Sequence, residues 1–278
     1  MYEVSIVHFA EVARDKNTGL QRSRLGFFVG AMLAGAYIGI AMILALSCAA
    51  GLPAGVRPLV LGATFGIGLI LTVFAGAELF TGYVMYAGFG LARRTIGWAA
   101  AIDMLATVWI GNLAGAVLLS VVFVAGGGGA VFADGGAYLG TYVTHKVEAD
   151  AIALLARAAL CNWLVCLAIW TAARVAGDAA KCIVLAWTLL AFVAAGFEHS
   201  VANMTALSLG LLAPHPAATL VAVVRNLVIV TAGNILGSAV FVVIGYLAAA
   251  RTDSEGEARH DAGELPKNLR TALAEASH

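Results

Sequence analysis

Six long apolar runs dominate this 278-residue chain and leave it few ways to fold. Each holds about 20 or more mostly apolar residues, the length that a helix needs to cross the hydrocarbon core of a bilayer. Because lipid offers the backbone no hydrogen-bond partners, such runs have to be helical. The sequence therefore predicts an all-α integral membrane protein with six transmembrane helices, over residues 27–50, 58–91, 98–125, 149–174, 183–212 and 217–250.

The composition agrees with membrane insertion and narrows the choice of partners. Hydrophobic residues make up 62% of the chain and charged residues 12%, about half of the charged share in soluble domains. A formal net charge of zero gives no basic surface for nucleic acid. The four cysteines lie in or beside apolar runs without metal-type spacing, so we interpret them as small buried hydrophobic residues. We expect no metal site and no cofactor.

The lysines and arginines predict the orientation. With a cytoplasmic N-terminus, twelve of the 16 lie on or beside the cytoplasmic side, and four lie toward the other side: Arg57, Lys146, Arg157 and Arg225. This is the positive-inside pattern.

Both termini are therefore expected in the cytoplasm. Residues 1–25 predict an amphipathic helix at the membrane surface, apolar at Val4, Ile6 and Val7. Residues 26–250 form the predicted six-helix transmembrane domain, and residues 251–278 a polar cytoplasmic tail.

The chain repeats itself at two informative places. Residues 75–78, read AGAE, recur as AGFE at 195–198, and 111–115, read GNLAG, recur as GNILG at 233–237. A unit of three spans that occurs twice enters the membrane from opposite sides, so the sequence predicts a three-plus-three inverted repeat, which is typical of transporters. Glycines four residues apart predict close packing of helices.

Polar residues interrupt the second and fifth runs. Residues 196–204, read GFEHSVANM, place a carboxylate, an imidazole, a hydroxyl and an amide in an apolar run. Ionisable groups at membrane depth are rare and usually functional. We expect breaks in the second helix at 78–82 and in the fifth at 198–203. Non-helical backbone at this depth has to line a cavity or contact other protein.

Three runs resemble the formate/nitrite transporter family: ELFTG from Glu78, CNWLVCLAIW from Cys161 and GFEHSVANM from Gly196. The likeness covers roughly residues 26–246 and is greatest to the nitrite-channel branch. The resemblance implies a homopentamer in the bacterial inner membrane, with one pore and an aquaporin-like inverted repeat in each protomer. It implies a channel for nitrite and similar small monovalent anions, without enzyme activity.

The resemblance also implies which side chains line the pathway. The polar positions of the family fall on His199, Thr81, Glu198, Asn203, Lys146, Asn162 and Asn234. The apolar constrictions of relatives fall on Phe65, Leu69, Leu79, Phe80, Val165 and Phe192. For any one of these apolar residues taken without the family, ordinary helix packing is the simpler interpretation.

Physical chemistry gives His199 a specific role. Burying a bare anion in an apolar ring has an idealised cost of about 20 kcal/mol. Protonating it by an imidazolium with a pKa of about 6.5, when the acid has a pKa of about 3.5, costs about 4 kcal/mol in water. A site of low dielectric constant favours this transfer, because two charges become two neutral molecules. We therefore predict that His199 lends a proton to the anion.

The other polar residues are expected to support that step. Lys146 and the helix amino ends near Thr81 and Ser200 would raise the local anion concentration. Thr81 and Asn203 would bind the anion or orient the imidazole. Glu198 would either hold the charged ring or satisfy amides of the turn.

Other functions stay open on the sequence alone. Formate and hydrosulfide share the size, charge and protonation chemistry of nitrite. A membrane enzyme with Glu198 and His199 as acid and base would need a nucleophile set, a metal or a cofactor motif, and none accompanies them. A pore for water or neutral gas would show flux without any dependence on anion protonation.

Overall fold

The computed structural model describes residues 2–213 and 216–251, without the side chains of residues 134 and 135. This part of the chain contains helices and turns and no strand. The helices are α1 (Glu3–Arg22), α2 (Arg24–Ala49), α3 (Arg57–Phe65), α4 (Ile67–Phe74), α5 (Phe80–Ala92), α6 (Trp98–Ala125), α7 (Ala137–Val147), α8 (Ala151–Ala172), α9 (Asp178–Ala194), α10 (Ser200–Leu212) and α11 (Leu220–Gly237).

Irregular helical segments adjoin two of these elements. Two 3₁₀ turns, Gly129–Val131 and Ala133–Gly136, precede α7, and a π-helix, Ser238–Ile244, continues α11. Apart from Arg251, the polar tail predicted at 251–278 lies outside the described residues.

Five helical stretches in the described part are long and apolar enough to cross a membrane. They are Arg24–Ala49, Arg57–Phe74, Trp98–Ala125, Ala151–Ala172 and Leu220–Arg251. The predicted run 183–212 is instead divided between α9, with 17 residues, and α10, with 13. The predicted run 58–91 contains α3, α4 and α5.

Polar side chains begin three of the long helices. Ser23 Oγ accepts a hydrogen bond from Gly26 N–H, Asp150 Oδ1 accepts from the amides of the first turn of α8, and Thr219 Oγ1 accepts from Ala222 N–H. These bonds satisfy amides that a helix leaves without partners at its start. Each helix therefore begins at the polar residue that precedes its apolar run.

Glycines allow two helix pairs to pack with their backbones nearly in contact. A Cβ on Gly115 of α6 would lie 1.9 Å from the Met32 carbonyl oxygen of α2, and a Cβ on Gly237 of α11 would lie 2.0 Å from that of Ala159 in α8. Both glycines end the repeated GNxxG motifs. The close packing predicted from the glycine spacing is confirmed at these positions, and it places α6 and α11 beside the turns described below.

Helix α1 packs against the helical body along one face. Ile6, Phe9, Ala13 and Leu20 are buried on that face. Of the three apolar residues predicted for a membrane-surface helix, Ile6 is buried, whereas Val4 and Val7 are exposed. The buried stripe follows the helical period, and Phe9 stacks on Trp170 of α8 with ring centroids 5.5 Å apart.

Candidate functional site

Two matching turns separate α4 from α5 and α9 from α10. In each, a glycine in the left-handed region follows the helix, Gly76 with φ +74° and Gly196 with φ +73°. The backbone N–H of the residue after the glycine then donates to the carbonyl five residues earlier, which is the hydrogen bond typical of a Schellman motif. These bonds join Ala77 N to Thr72 O at 2.9 Å and Phe197 N to Phe192 O at 3.0 Å.

The turns lie slightly earlier in the chain than expected. The sequence predicted interruptions at 78–82 and 198–203, whereas the non-helical residues are 75–79 and 195–199. The glycine ends each helix, and the polar residues after it already belong to the start of the next one. Their backbone amides therefore form a helix amino end inside the protein.

Asn112 of α6 holds the first turn in place. Its Oδ1 accepts from Phe80 N–H at 2.9 Å, at the start of α5. Its Nδ2 donates to the carbonyls of Glu78 and Ala31, each at 2.8 Å. One buried amide therefore connects the turn to α2 and satisfies backbone groups that lack helical partners.

Asn234 of α11 does the same for the second turn. Its Oδ1 accepts from Ser200 N–H, and its Nδ2 donates to the carbonyls of Glu198 and Ala158, all at 2.9 Å. The predicted pathway residue Asn234 thus serves as an anchor of the backbone. Asn112 stands 122 positions earlier in the same motif and has the same three kinds of bond.

The two turns bring Thr81 and His199 together. Thr81 Oγ1 lies 3.1 Å from His199 Nε2, and both side chains are buried. His199 caps α10, and its Nδ1 accepts from Ala202 N–H at 3.1 Å. Because Nδ1 accepts, the neutral ring carries its proton on Nε2 and donates it toward Thr81 or a ligand. The amino ends of α5 and α10 meet at this pair.

Lys146 of α7 forms a buried ion pair with Glu198. Its Nζ donates to Oε2 at 2.9 Å, and the side chains are 9% and 6% exposed. Burial lowers the pKa of Lys146, but the Glu198 carboxylate and Tyr142 together raise that pKa above its ordinary value. The ammonium is therefore charged, and its charge is offset by a carboxylate.

The same carboxylate oxygen holds Asn203 of α10. Asn203 Nδ2 donates to Glu198 Oε2 at 2.7 Å and to Asn226 Oδ1 at 2.9 Å, and Asn226 Nδ2 donates to Lys146 O at 2.8 Å. Glu198 thus bonds to both Lys146 and Asn203, and Asn226 links Asn203 to the backbone of Lys146. The groups that hold the imidazole are Ala202 N–H and Thr81 rather than any of these residues.

Two cavities approach the Thr81–His199 pair. The first, here called the α7 vestibule, has a volume of about 590 Å³ and is lined by residues that include Arg57, Phe65, Lys146, Arg157, Phe192 and His199. The second, the α1 vestibule, has a volume of about 340 Å³, and its lining includes Lys16, Leu69, Glu78, Leu79, Tyr83 and Lys181.

Apolar side chains border both cavities close to the central pair. Phe65 and Phe192 pack edge to face with ring centroids 6.1 Å apart, and Phe192 stacks on the His199 ring at 6.0 Å. Leu69 and Leu79 are buried at the α1 vestibule. Four of the six predicted constriction residues thus border a cavity.

The other predicted residues lie behind this surface. Phe80 and Val165 are buried, and neither lines either vestibule. Asn162 Nδ2 donates to Thr81 O at 3.2 Å and to Asn234 O at 2.7 Å, so it braces the backbone of Thr81.

Sequence reasoning missed several polar residues of the site. Asn226 gave no signal, since its partner Asn203 is 23 positions away. Lys16 Nζ binds both oxygens of Glu78, at 2.9 and 2.7 Å, and Tyr83 Oη donates to the same carboxylate at 2.6 Å. The repeat of AGAE as AGFE could have pointed to Glu78 as a counterpart of Glu198.

The described residues offer no group of three histidine, cysteine or carboxylate side chains that could hold a metal ion. What they assemble is a buried histidine–threonine pair at two helix amino ends, with one vestibule lined by His199 and another lined by Leu79 and Gly82, the neighbours of Thr81 in the chain. Such an arrangement can bind a small anion and guide it past apolar groups.

Comparison with known proteins agrees with this geometry. The family model for formate/nitrite transporters matches residues 7–248. The chain is 45% identical over 228 residues to the nitrite transporter NirC of Escherichia coli, covering 80% of this chain and 82% of that protein.

Two solved structures have similar folds. A channel described as an FNT family ion channel superposes with a TM-score of 0.85 at 42% identity, covering 89% of this chain and 99% of that one. A pentameric formate channel with formate bound gives a TM-score of 0.69 at 29% identity, covering 81% and 96%. The apolar helices and these matches together make the chain a multi-pass membrane protein that belongs to the formate/nitrite transporter family.

Proposed function

We propose that this protein is a channel for small monovalent anions and that nitrite is its principal substrate. The observation that carries the proposal is the buried Thr81–His199 pair, which lies at two helix amino ends, with His199 lining one vestibule and Leu79 and Gly82 lining the other. The identity to a protein named as a nitrite transporter favours nitrite. Formate is the second candidate, because a structural relative holds formate. Hydrosulfide has the same charge and is a third.

The anion crosses the apolar section as its neutral acid. A bare charge there would cost up to about 20 kcal/mol in the ideal limit, which no useful flux can overcome. Phe65, Phe192, Leu69 and Leu79 select the uncharged molecule. Phe80 and Val165, one layer further out, keep these side chains packed and water excluded.

His199 supplies the proton. The step moves one hydrogen from a doubly protonated ring to an anion oxygen, leaving a neutral imidazole and a neutral acid. The neutral ring donates its Nε2 hydrogen, so the charged ring needs a second hydrogen on Nδ1, where Ala202 N–H now donates. The ring therefore has to release Ala202, and it does so when the charge of an arriving anion offsets its own. Thr81 then turns its hydroxyl to the anion.

We further propose that the chain has the architecture of its relatives. Six spans form an inverted repeat of three and three, with the second and fifth interrupted at the two turns. The equal bonding of Asn112 and Asn234 supports this symmetry. Five protomers, each with its own pore, assemble in the bacterial inner membrane with both termini in the cytoplasm. α1 then covers the cytoplasmic mouth, and the α7 vestibule opens outside. The chain carries out no enzymatic reaction.

Nitrite flux into liposomes that contain a pH-sensitive dye tests the proposal. Wild-type flux should rise as external pH falls, because the charged ring and the neutral acid become more abundant. His199→Asn should reduce flux at least tenfold, while Gln21→Asn, at an exposed residue of α1 that lines neither vestibule, should keep wild-type flux. Unchanged flux in His199→Asn, or flux indifferent to pH, would exclude the proton step. Competition by formate and hydrosulfide ranks the three substrates.

A further inference from the structure

The α7 vestibule is lined by more cationic side chains than acidic ones. Three cationic side chains line it, Arg57, Lys146 and Arg157, against one acidic residue, Glu198, among the described residues of its lining. The Lys146 ammonium is held by that carboxylate and lies 4.9 Å from the Tyr142 ring centroid. The unpaired positive charge in the vestibule therefore belongs to the two arginines.

Arg57 is oriented but keeps donors to spare. It begins α3, and its Nε donates to Leu52 O at 2.8 Å. Its guanidinium lies over the Tyr138 ring, 4.5 Å from the centroid. Burial raises the pKa of Tyr138 to about 12, so this ring adds no negative charge near neutral pH. The two terminal nitrogens of Arg57 have no hydrogen-bond partner in the described part of the chain.

Arg157 lies close to the functional turn. Its carbonyl oxygen accepts from Glu198 N–H at 3.3 Å, which fixes its backbone beside the residue that precedes His199. One helical turn further along α8, Cys161 is buried in the core. The Arg157 side chain is exposed and forms neither a hydrogen bond nor an ion pair with a described residue. Its whole guanidinium is therefore available to a ligand from the vestibule.

Guanidinium groups select a particular shape of anion. Two parallel N–H groups match the two oxygens of a planar anion such as nitrite or formate. Hydrosulfide has one acceptor atom and accepts no such pair of bonds. An ammonium group, in contrast, attracts all three anions as a point charge.

We propose that Arg57 and Arg157 form an anion-binding subsite in the α7 vestibule that captures planar two-oxygen monovalent anions before they reach His199. The subsite rests on the proposed channel function and adds to it a preference for nitrite and formate over hydrosulfide at the stage of capture. It lies outside the apolar section, so it changes the concentration at which the channel fills rather than the rate of the central step.

The variants Arg57→Gln, Arg157→Gln and their double test the subsite by nitrite flux at graded concentrations. The double variant should raise the half-saturating concentration on the order of tenfold, as expected for loss of charge-assisted hydrogen bonds, with the maximal rate within about twofold. Arg22→Gln, an exposed arginine at the end of α1, is the control and should leave both values unchanged. An unchanged half-saturating concentration in the double variant would overturn the subsite.

Lysine variants separate shape from charge. Arg57→Lys with Arg157→Lys keeps both positive charges and removes the paired donors. The half-saturating concentration for nitrite should rise severalfold while that for hydrosulfide stays constant. An equal change in the half-saturating concentrations of nitrite and hydrosulfide would show that the arginines act only through their charge, and it would overturn the proposed preference.

A binding measurement tests the subsite independently of transport. Saturation-transfer NMR on the formate proton, with the detergent-solubilised protein and sodium formate, reports contact without transport. The signal should persist in His199→Asn and fall in the double glutamine variant. If wild-type liposomes carried no nitrite, the proposed function would fail, whereas this signal would still decide the subsite. An unchanged signal in the double glutamine variant would overturn the subsite.

Discussion

At the scale of single residues, the buried Lys146–Glu198 pair decides how the α7 vestibule is built. The pair connects α7 to the turn before α10, and the carboxylate also binds Asn203. Removing one partner of a buried pair leaves a charge without compensation, which costs about 3–5 kcal/mol. Replacing both partners removes that penalty, so the pair should show strong coupling.

Lys146→Met should therefore lower thermal stability in detergent by the equivalent of about 3–5 kcal/mol. Adding Glu198→Gln should restore a large part of it, since no lone carboxylate remains. Lys181→Met is the matched control, because its partly exposed ammonium lies 3.7 Å from the exposed Asp178 and such surface pairs contribute about 1 kcal/mol or less. Additive losses in the Lys146/Glu198 double variant would contradict the coupling. Melting of each variant is followed by tryptophan fluorescence.

At the scale of helices, two glycine contacts fix how α6 and α11 lie beside the turns. Gly115 and Gly237 touch backbone carbonyls of the partner helices, which cannot move as a flexible side chain can. The asparagines that anchor the turns stand three residues earlier in the same helices. Displacement of either helix would therefore shift Asn112 or Asn234 and, through it, the start of α5 or α10.

Gly115→Ala and Gly237→Ala should each destabilise the protein by at least the roughly 1–3 kcal/mol of ordinary overpacking. Nitrite flux per folded protomer should also fall, since the amino end that carries Thr81 or His199 moves. Gly51→Ala is the control, because a Cβ there meets no atom within 4 Å. Thermal unfolding and liposome flux measure the two effects. Wild-type melting in both interface variants would show that the helices can separate freely.

At the scale of the whole molecule, the exposed apolar surface of one chain has to meet lipid or neighbouring protomers. Trp187, Leu220 and Val221 are 66%, 68% and 79% exposed on the single chain. Side chains of this kind are ordinary on a surface that faces a bilayer. Lipid or a neighbouring protomer can cover this apolar surface, and the number of protomers in the assembly determines how much of it each one covers.

The proposed pentamer should give a protein mass near five times the 28.5 kDa of the chain when light scattering is corrected for detergent. The mass should stay constant on dilution, because the protomers of an obligate assembly do not separate. A mass of one or two chains in mild detergent would contradict the pentamer and leave the single-protomer pore untouched.

Within the described residues, five of the six predicted runs contain a helical stretch long enough to cross a membrane, whereas the sequence predicted little of how the vestibules are built. Apolar length is a local property, and the motif resemblance carried Thr81 and His199 together across 118 positions. The partners of Glu198 depend instead on how α7 folds back, which no local pattern records. The sequence did not indicate a role for Lys16 for the same reason, since its contact with Glu78 depends on how α1 packs against the other helices.

The meeting of the α5 and α10 amino ends has a bioenergetic consequence. Each helix end contributes about half a positive elementary charge, so the surroundings of the Thr81–His199 pair are electropositive even when His199 is neutral. If the proposed function holds, sodium and potassium ions are repelled there, and a hydrogen ion crosses only together with an anion, as a weak acid. The proton gradient of the cell would then be drawn on only as fast as that weak acid moves.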